Sequence, residues 1–338
     1  MLSPKQNVGS LTQGVSVALL MIGFVVVQGA VAQAIWHPNH NIEIVIGSAP
    51  GSSQDKTGRT MQRILQDHRL VDTTVSVLNK PGGGSAIGWT YLSRHGGDGH
   101  FLAVSSPLLL TNHITGSSPL KYTDIAPVAQ LLNQYTVFVV KADSPIKTGA
   151  DLIKRLREDP TSVIVGVSGN QGNALHIAFA AVGKAAGIDV RKLKIVIFKG
   201  GGLVMTALLG GHVEIVPTSP SNAVPFVKSG ALRAIAVSAP HRLGGPLASV
   251  PTWKELGVDA VVVSNWRGLI GPLGLTTKQT AFWDGVFAKV VQTAEWKKDL
   301  ERNLWEPNYL SGAESAEYLR AQNADLTAIL IALGLAKM

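Results

Sequence analysis

The sequence predicts an α/β protein built on two open sheets. The observation behind this prediction is a unit that occurs four times, namely a short β-branched strand, a loop of Gly, Ser and Asn, and a helix. The four strands are predicted at residues 42–46, 75–78, 163–167 and 195–198. Because ligands of open α/β sheets bind beyond the carboxyl ends of the strands, the loops that follow these strands are the candidate binding segments.

Chain length and composition fit a globular protein of two domains. The 338 residues exceed one average domain, and 46% hydrophobic with 15% charged residues is not the composition of a disordered chain. The formal net charge of +8 comes from Lys and Arg residues that are scattered along the chain. This pattern excludes a nucleic-acid-binding arm and favours attraction of small anions. The absence of Cys excludes disulfides and thiolate metal sites.

The N-terminal segment has the arrangement of a secretory signal peptide. Lys5 precedes an apolar run at 15–27, which is too short for a typical membrane span, and small residues suited to cleavage follow it. We therefore expect residues 1–34 to be a signal peptide that is removed on export. An uncleaved membrane anchor is the alternative.

The first unit is the segment around which the rest of the chain is organised. Its strand at 42–46 leads through a loop at 47–55 into a helix with one apolar stripe. The first N–H groups of such a helix lack partners, and together with the helix dipole they form a site for an anion. The alternative is an ordinary strand-to-helix turn in which Ser53 or Asp55 is the N-cap.

Small polar loops follow several other predicted strands. They lie at residues 79–85, 105–107, 168–173, 199–202 and 217–222. The loop at 168–173 opens a helix that carries His176 in its first turn. We interpret this His either as a ligand contact or, more conservatively, as a structural residue of the helix.

The order of the elements predicts two lobes joined by two chain crossings. A strand at 136–140 is followed by a break at Pro145, and three helices are predicted after the return crossing. The first lobe is therefore expected to consist of residues 35–138 and 264–338, and the second lobe of residues 139–263. Two lobes with a hinge between them form a cleft that closes on a ligand.

The sequence contains no complete catalytic, nucleotide-binding or metal-binding motif. The P-loop and HExxH motifs are absent, and GxSxG fails because Asn170 replaces its last Gly. The glycine-rich segment 82–88 lacks the acidic residue that a dinucleotide site needs after the next strand. We therefore expect no cofactor and no metal, and we interpret His37 and His40 as surface residues because no third ligand type stands near them.

A set of short motifs, in this order and spacing, resembles one known family. The motifs are APGSSQD at 49–55, NKPGGG at 79–84, GDGH at 97–100, SGNQG at 168–172, KGG at 199–201, LGGHVE at 209–214, GALRAIAV at 230–237 and VPT at 250–252, followed by Trp266, Gly268-Leu269 and Gly271-Pro272. They are similar to those of the Bug (TctC-like) family, the substrate-binding proteins of tripartite tricarboxylate transporters. The resemblance covers nearly the whole chain after the predicted signal peptide. It implies a two-lobed periplasmic-binding-protein fold, type II-like, that closes on a carboxylated metabolite.

The resemblance implies that two loops, 49–55 and 168–173, hold a carboxylate from opposite sides, partly through water. With the other strand-end loops, the predicted ligand-binding residues are Ala49, Pro50, Gly51, Ser52, Ser53, Gln54, Asp55, Gly84, Ser85, Ser105, Ser106, Ser168, Gly169, Asn170, Gln171, Gly172, Asn173, His176, Thr218, Ser219 and Trp266. Neither loop contains Arg, so we expect N–H groups and hydroxyls to meet the ligand charge.

Three of these residues have open roles. Ser52 stands where the family often has a second Gly, and its side chain either narrows the site or adds a hydroxyl donor. Asp55 is expected to be an N-cap, or to select for a ligand amine or a water. Trp266 either stacks on the ligand or packs between the lobes.

The predicted function is that of a periplasmic receptor for a small dicarboxylate, tricarboxylate or aromatic carboxylate. The resemblance implies that a monomeric protein delivers this ligand to inner-membrane permease subunits, with no nucleic acid and no cofactor involved. One alternative is a ligand-sensing partner of a membrane signalling protein. The other is a secreted hydrolase that uses Ser168 or Ser53 with His176, although the sequence shows no acid to orient that His.

Overall fold

Two mixed sheets and the helices around them make up the computed structural model, which describes residues 36–337. The predicted signal peptide lies outside the described residues. The strands are β1 (Ile42–Ile46), β2 (Val75–Asn79), β3 (Phe101–Ser105), β4 (Ile125–Asn133), β5 (Thr136–Lys141), β6 (Ile164–Ser168), β7 (Lys194–Phe198), β8 (Ile215–Thr218), β9 (Leu232–Ser238), β10 (Arg267–Pro272) and β11 (Glu306–Leu310). The α-helices are α1 (Ser53–Asp67), α2 (Ala86–Ser93), α3 (Leu108–Ile114), α4 (Gly149–Glu158), α5 (Ala174–Ala185), α6 (Gly201–Leu209), α7 (Pro220–Lys228), α8 (Thr277–Val290), α9 (Ala294–Asn303) and α10 (Gly312–Ala332). None of the helices within residues 36–337 combines the length and apolar composition that a membrane crossing requires.

Each sheet has a parallel half and an antiparallel half. The strand order is β11-β4-β10-β3-β1-β2 in the first sheet and β7-β6-β8-β5-β9 in the second. In the first sheet β1 is parallel to β2 and β3, while β10 and β11 run antiparallel to their neighbours. The predicted α/β class with two open sheets is confirmed, and all four strand–loop–helix units are present as β1–α1, β2–α2, β6–α5 and β7–α6.

The alternation of side chains along β1 explains why it lies inside the first sheet. Ile44 and Ile46 pack on one face with Met61 of α1, whereas Val45 packs on the other face with Trp89 of α2. Four of the five side chains of β1 are buried, and Glu43 is half-buried. A strand that is apolar on both faces is stable only where helices cover both sides of the sheet, and this strand therefore places the loop at 47–52 at a fixed edge.

The chain passes between the sheets twice, and the two crossing segments are hydrogen-bonded to each other. The Asn265 backbone N–H donates to the Gln134 carbonyl at 2.9 Å, and Ser264 Oγ donates to Asn133 Oδ1 at 2.8 Å. Strand β5 pairs with β8 and β9 along its whole length. The chain leaves the first sheet after β4 and enters the second sheet at β5. The expected lobe boundary at 138/139 would therefore fall inside β5.

The C-terminal helix contacts both lobes rather than the first alone. Helix α10 packs on β4 and α3 and also on α5 of the second sheet's lobe. Its Leu330 belongs to the same buried cluster as residues of α5. In the second lobe, Arg191 Nε donates to the Ala332 carbonyl at 3.1 Å and Lys184 Nζ donates to the Ala328 carbonyl at 3.4 Å. Arg191 thus satisfies a carbonyl that the end of the helix leaves without a partner.

Candidate functional site

A cavity of about 300 Å³ lies between the two lobes, at the point where the chain crosses from one sheet to the other. Its lining residues come from α1, both crossings and the first turns of α5 and α7, and they are Ser53, Lys56, Gln134, Tyr135, Thr136, Leu175, Ser219, Ser221, Asn222 and Asn265. Three helices thus begin at this cavity, and their N-terminal ends carry the positive end of the helix dipole. Lys56 is the charged residue among those that line it, and none of them is acidic.

The loop before α1 is organised by its own hydrogen bonds. Ser52 has extended backbone angles and is the N-cap, because its Oγ accepts from the Asp55 backbone N–H at 3.2 Å. The Ser52 Oγ also lies 2.6 Å from the Ser48 Oγ, and the Gly51 N–H donates to Asp55 Oδ2 at 2.8 Å. The prediction that Ser53 or Asp55 caps the helix is therefore wrong. The Ser52 hydroxyl is used inside the loop, which leaves Ser53 as the hydroxyl that faces the cavity.

Asp55 has a structural role in this loop. It is buried, and its carboxylate accepts hydrogen bonds from Arg59 Nε at 3.0 Å and from Asn79 Nδ2 at 2.9 Å. Burial raises the pKa of the Asp55 carboxyl, but the hydrogen bonds from Arg59, Gly51 and Asn79 outweigh it and hold that pKa below its usual range. The carboxylate is thus ionised and already surrounded by protein donors. Selection of a ligand amine by Asp55 has no support in this geometry.

A buried arginine joins Ser53 to the return crossing. Arg267 Nη2 donates to Ser53 Oγ at 2.6 Å, and Arg267 Nη1 donates to Asn265 Oδ1 at 2.9 Å and to the Trp266 carbonyl at 2.6 Å. Only 5% of Arg267 is exposed. Burial lowers the pKa of Arg267 to about 10, so the guanidinium is still a cation at neutral pH. It was missed in the sequence because it follows Trp266 on a strand and lies in neither predicted loop.

The loop at 168–173 is closed on itself and does not line the cavity. Asn173 is the N-cap of α5: its Oδ1 accepts from the Leu175 N–H at 2.9 Å, while its Nδ2 donates to the Ser168 carbonyl at 2.7 Å. The Cβ of a residue larger than Gly at position 172 would lie 3.7 Å from the side chains of Leu330 and Leu335. The segment after α10 therefore lies against this loop.

His176 is a buried structural residue. Its Nδ1 accepts a hydrogen bond from the Gly172 N–H at 2.9 Å, so this nitrogen carries no proton. Burial lowers the pKa of His176 to about 4, and the imidazole is neutral at pH 7. The side chain borders a separate cavity of about 220 Å³ beside Arg191. It is not part of the interlobe cavity.

Three of the other first-lobe candidates form a buried polar cluster. Gln54 Nε2 donates to Ser85 Oγ at 3.2 Å and to Ser106 Oγ at 3.3 Å, and all three residues are buried. Ser85 has a left-handed φ of 77°, and an added Cβ at Gly47 would lie 2.3 Å from the Ser85 Cβ. Gly47 is therefore required for α2 to approach β1. These hydroxyls hold the strand ends together.

Two of the predicted residues, Ser53 and Ser219, line the interlobe cavity. Those outside its lining are Ala49, Pro50, Gly51, Ser52, Gln54, Asp55, Gly84, Ser85, Ser105, Ser106, Ser168, Gly169, Asn170, Gln171, Gly172, Asn173, His176, Thr218 and Trp266. Thr218 and Trp266 are fully buried. Trp266 packs edge-on against Tyr318 of α10 with 6.1 Å between ring centroids, so it packs between the lobes and does not offer a face to a ligand.

The residues that sequence reasoning missed are neighbours of residues that it found. Lys56 is one helical turn after Ser53, and Ser221 and Asn222 follow Ser219 in the first turn of α7. For Ser221 and Asn222, the small polar loop that follows β8 was the sequence feature that could have indicated them. The crossing residues Gln134 and Asn265 carried no local signal, because only the pairing of the two crossings brings them to the cavity.

Two other features share no lining residue with this cavity. His40, Asp98 and His100 have ligand atoms within 4.8 Å of one another, so the interpretation that His40 has no further ligand type nearby is wrong. Both ring nitrogens of His100 are used, one with Asp98 Oδ1 at 2.7 Å and the other with the Asn39 N–H at 3.2 Å. A larger cavity of about 720 Å³ lies between α9 and β11 of the first lobe and Pro220 and residues 243–247 of the second, and its mostly apolar wall contains none of the predicted residues.

Comparisons with known proteins agree with this architecture. Residues 59–335 match the model of TctC, the tripartite tricarboxylate transporter family receptor. The UPF0065 protein in the gbd 5′ region of Cupriavidus necator is 30% identical over 327 residues, which cover 96% of each chain. Protein BugT of Bordetella pertussis is 28% identical over 269 residues, which cover 77% of this chain and 80% of that protein.

Solved structures of similar proteins have the same fold. A TctC solute-binding protein from Polaromonas, solved without ligand, superposes with a TM-score of 0.76 at 25% identity and covers 87% of this chain and 99% of its own. An R. palustris protein solved with adipate superposes with a TM-score of 0.72 at 22% identity and covers 88% of this chain and 99% of its own. The extent of the family match and the level of identity decide the assignment. The chain belongs to the family of tripartite tricarboxylate transporter receptors described by the TctC model.

Proposed function

We propose that this protein is a periplasmic receptor that captures a small carboxylated metabolite in the interlobe cavity. In this proposal the predicted signal peptide directs the protein to the periplasm, and the loaded receptor delivers its ligand to the membrane subunits of a tripartite tricarboxylate-type transporter. The observation that carries the proposal is the chemistry of the cavity. Hydroxyls, amides and Lys56 line it, the cationic Arg267 lies directly behind Ser53 and Asn265, and no lining residue is acidic.

The size and the walls of the cavity support a small anionic ligand. A volume of about 300 Å³ is at the lower end of the range for ligand pockets, which suits a metabolite of a few carbons. Ser53 stands on the first-lobe wall, and Ser219 and Asn222 stand on the second-lobe wall. A ligand between these walls would contact both lobes, and such contacts stabilise the closed arrangement. The R. palustris structure with adipate has the same fold and a ligand of this size class.

The alternatives have less support. A hydrolase that pairs Ser53 or Ser168 with His176 lacks its base, because His176 is buried and its Nδ1 accepts from Gly172. Neither serine hydroxyl is hydrogen-bonded to this His in the described part of the chain. The family assignment favours a transporter partner over a signalling partner.

A thermal-shift screen tests the proposal. The protein beginning at residue 35 is heated with a panel of aliphatic and aromatic mono-, di- and tricarboxylates, each beside its neutral amide. A ligand at a hundredfold excess over its Kd stabilises the folded state by about 2.7 kcal/mol. We expect at least one carboxylate to raise the Tm and its amide not to do so. A panel in which no carboxylate shifts the Tm, or in which amides act equally, would contradict the receptor function.

A further inference from the structure

Arg267 is a buried cation without a counter-ion in the part of the chain that the structure describes. Within residues 36–337 it forms no ion pair with any carboxylate, and its Nε is buried without a hydrogen-bond partner. Its two terminal nitrogens contact Ser53 and Asn265, which both line the interlobe cavity. Burying an unpaired charge is costly, and proteins compensate for it by pairing. The neighbouring space that is open to a counter-ion is the cavity.

The Arg267 guanidinium also fixes the orientation of the Asn265 and Gln134 side-chain amides, which line the cavity. Arginine can only donate hydrogen bonds, so the Asn265 oxygen must face Arg267. The Asn265 Nδ2 then donates to Gln134 Oε1 at 3.1 Å. The Gln134 Nε2 is left without a partner among the described residues. Both amide oxygens are thus occupied inside the protein, and a donor is left for the ligand.

The hydroxyls of Ser53 and Tyr135, which also line the cavity, each accept a hydrogen bond from the protein and keep a proton to donate. Ser53 Oγ accepts from Arg267, so its own proton is available to a further acceptor. The Tyr135 hydroxyl accepts from Asn133 Nδ2 at 3.2 Å, and burial raises the pKa of Tyr135, so it keeps its proton. The Lys56 ammonium adds a second positive charge to the wall. This end of the cavity therefore offers donors and positive charge, while the acceptors of its amides are already used.

We propose that Arg267 makes this cavity selective for carboxylic acids that carry no ammonium group. The ligand carboxylate supplies the counter-ion that the protein does not, and it accepts the hydrogen bonds of Ser53 and Gln134. An amino acid would bring its ammonium group beside Lys56 and Arg267, where no lining side chain carries a negative charge to receive it. This inference rests on the proposed receptor function and narrows its substrate class.

Matched ligand pairs test the selectivity in the unmodified protein. Succinate is compared with L-aspartate, glutarate with L-glutamate, and adipate with L-2-aminoadipate by isothermal titration, since each pair differs by one amine. We expect at least one diacid to bind and its amino acid to bind at least about tenfold more weakly. Absence of binding by all three diacids would overturn the proposed function and this ligand class with it. Equal affinities of the diacid and the amino acid within each pair would overturn the proposed selectivity and leave the receptor function standing.

A second test gives Arg267 an internal counter-ion. Asn265→Asp keeps the side-chain shape, places a carboxylate on Arg267, and turns the Gln134 amide toward the new acceptor. We expect the Tm of the ligand-free protein to rise and diacid affinity to fall by about ten- to a hundredfold. Asn222→Asp is the control, because it adds the same charge to the opposite wall away from Arg267, and the ligand-free Tm should not rise. The same change in Tm for both variants would overturn the proposal.

Removing the cation completes the experiment. Arg267→Gln should weaken diacid binding by about ten- to a hundredfold and reduce the preference of the protein for the diacid over the amino acid. Arg233→Gln is the matched control, since Arg233 is a half-buried arginine of β9 that donates to the Ile146 and Ala142 carbonyls and has no acidic partner among residues 36–337. The Arg233→Gln variant should be less stable, but its ratio of diacid affinity to amino-acid affinity should equal that of the unmodified protein. An unchanged ratio in Arg267→Gln would contradict the inference even if the protein were less stable.

Discussion

Replacing Ser53 by Ala should affect stability and binding together. The Ser53 Oγ is the acceptor for Arg267 Nη2 at 2.6 Å, and the donor is a cation that is only 5% exposed. Hydrogen bonds to charged groups contribute about 1.5–3 kcal/mol, and removing the acceptor leaves a second guanidinium nitrogen without a partner. We therefore expect Ser53→Ala to lower the free energy of unfolding by about 1.5–3 kcal/mol.

The same substitution removes a donor to the ligand. Because the proton of the Ser53 hydroxyl is directed away from Arg267, its loss should weaken carboxylate binding by about ten- to a hundredfold. Ser168→Ala is the matched control, since the Ser168 hydroxyl forms no hydrogen bond in the described residues and does not line the cavity. Urea denaturation measures the first effect and isothermal titration the second. Equal stabilities and equal carboxylate affinities of Ser53→Ala and Ser168→Ala would contradict a ligand site at the interlobe cavity.

Three further measurements probe the loops and the hinge. The pKa of His176 is depressed from 6.5 to about 4 in the folded state, so the unfolded chain binds a proton first, and stability should fall by about 3 kcal/mol as the pH drops from 6.5 to about 4. His176→Gln should flatten this slope and the exposed His212→Gln should not, which urea titrations at several pH values would show. Gly47→Ala should destabilise the protein more than Gly51→Ala, because the new Cβ meets Ser85 at 2.3 Å in the first case, whereas the second carries only the strain of a φ of +82°. Small-angle scattering with a saturating ligand should show a smaller radius of gyration than without it, and an unchanged profile would argue against closure of the lobes.

The strand–loop–helix units were predictable because their signals are local. A β-branched run such as 42–46, apolar except for Glu43, predicts a buried strand, and the Gly and Ser residues after it favour a turn into the helix. Other elements lacked such signals. Strand β11 (Glu306–Leu310) is a half-exposed edge strand that contains Pro307, and it forms because β4 offers it a pairing edge.

The site was less predictable than the fold because it depends on how the lobes meet. Ser53 and Arg267 are 214 residues apart, and nothing in either segment indicates that a hydrogen bond joins them. The second wall was expected at 168–173, whereas the second-lobe helices line the cavity with Leu175 of α5 and the first turn of α7. Gly172 of the 168–173 loop faces Leu330 of α10 and Leu335 after it, whose side chains lie 3.7 Å from the place that a Cβ at this position would occupy.

The way α10 is held has a mechanical consequence. Arg191 of the second lobe donates to the carbonyl of Ala332, the last residue of α10. Five residues after Ala332, the Lys337 N–H donates to the Ile114 carbonyl of the first lobe at 2.9 Å. A fully extended chain spans about 3.3–3.6 Å per residue, so this short segment is a tether of less than about 20 Å between the lobes. If the lobes rotate on ligand binding, we therefore expect the edge at α10 to stay nearly fixed and the axis of rotation to lie near this helix. Because these contacts would be the same in the open and the closed state, substitutions at Lys184 or Arg191 should loosen this hinge without favouring either state.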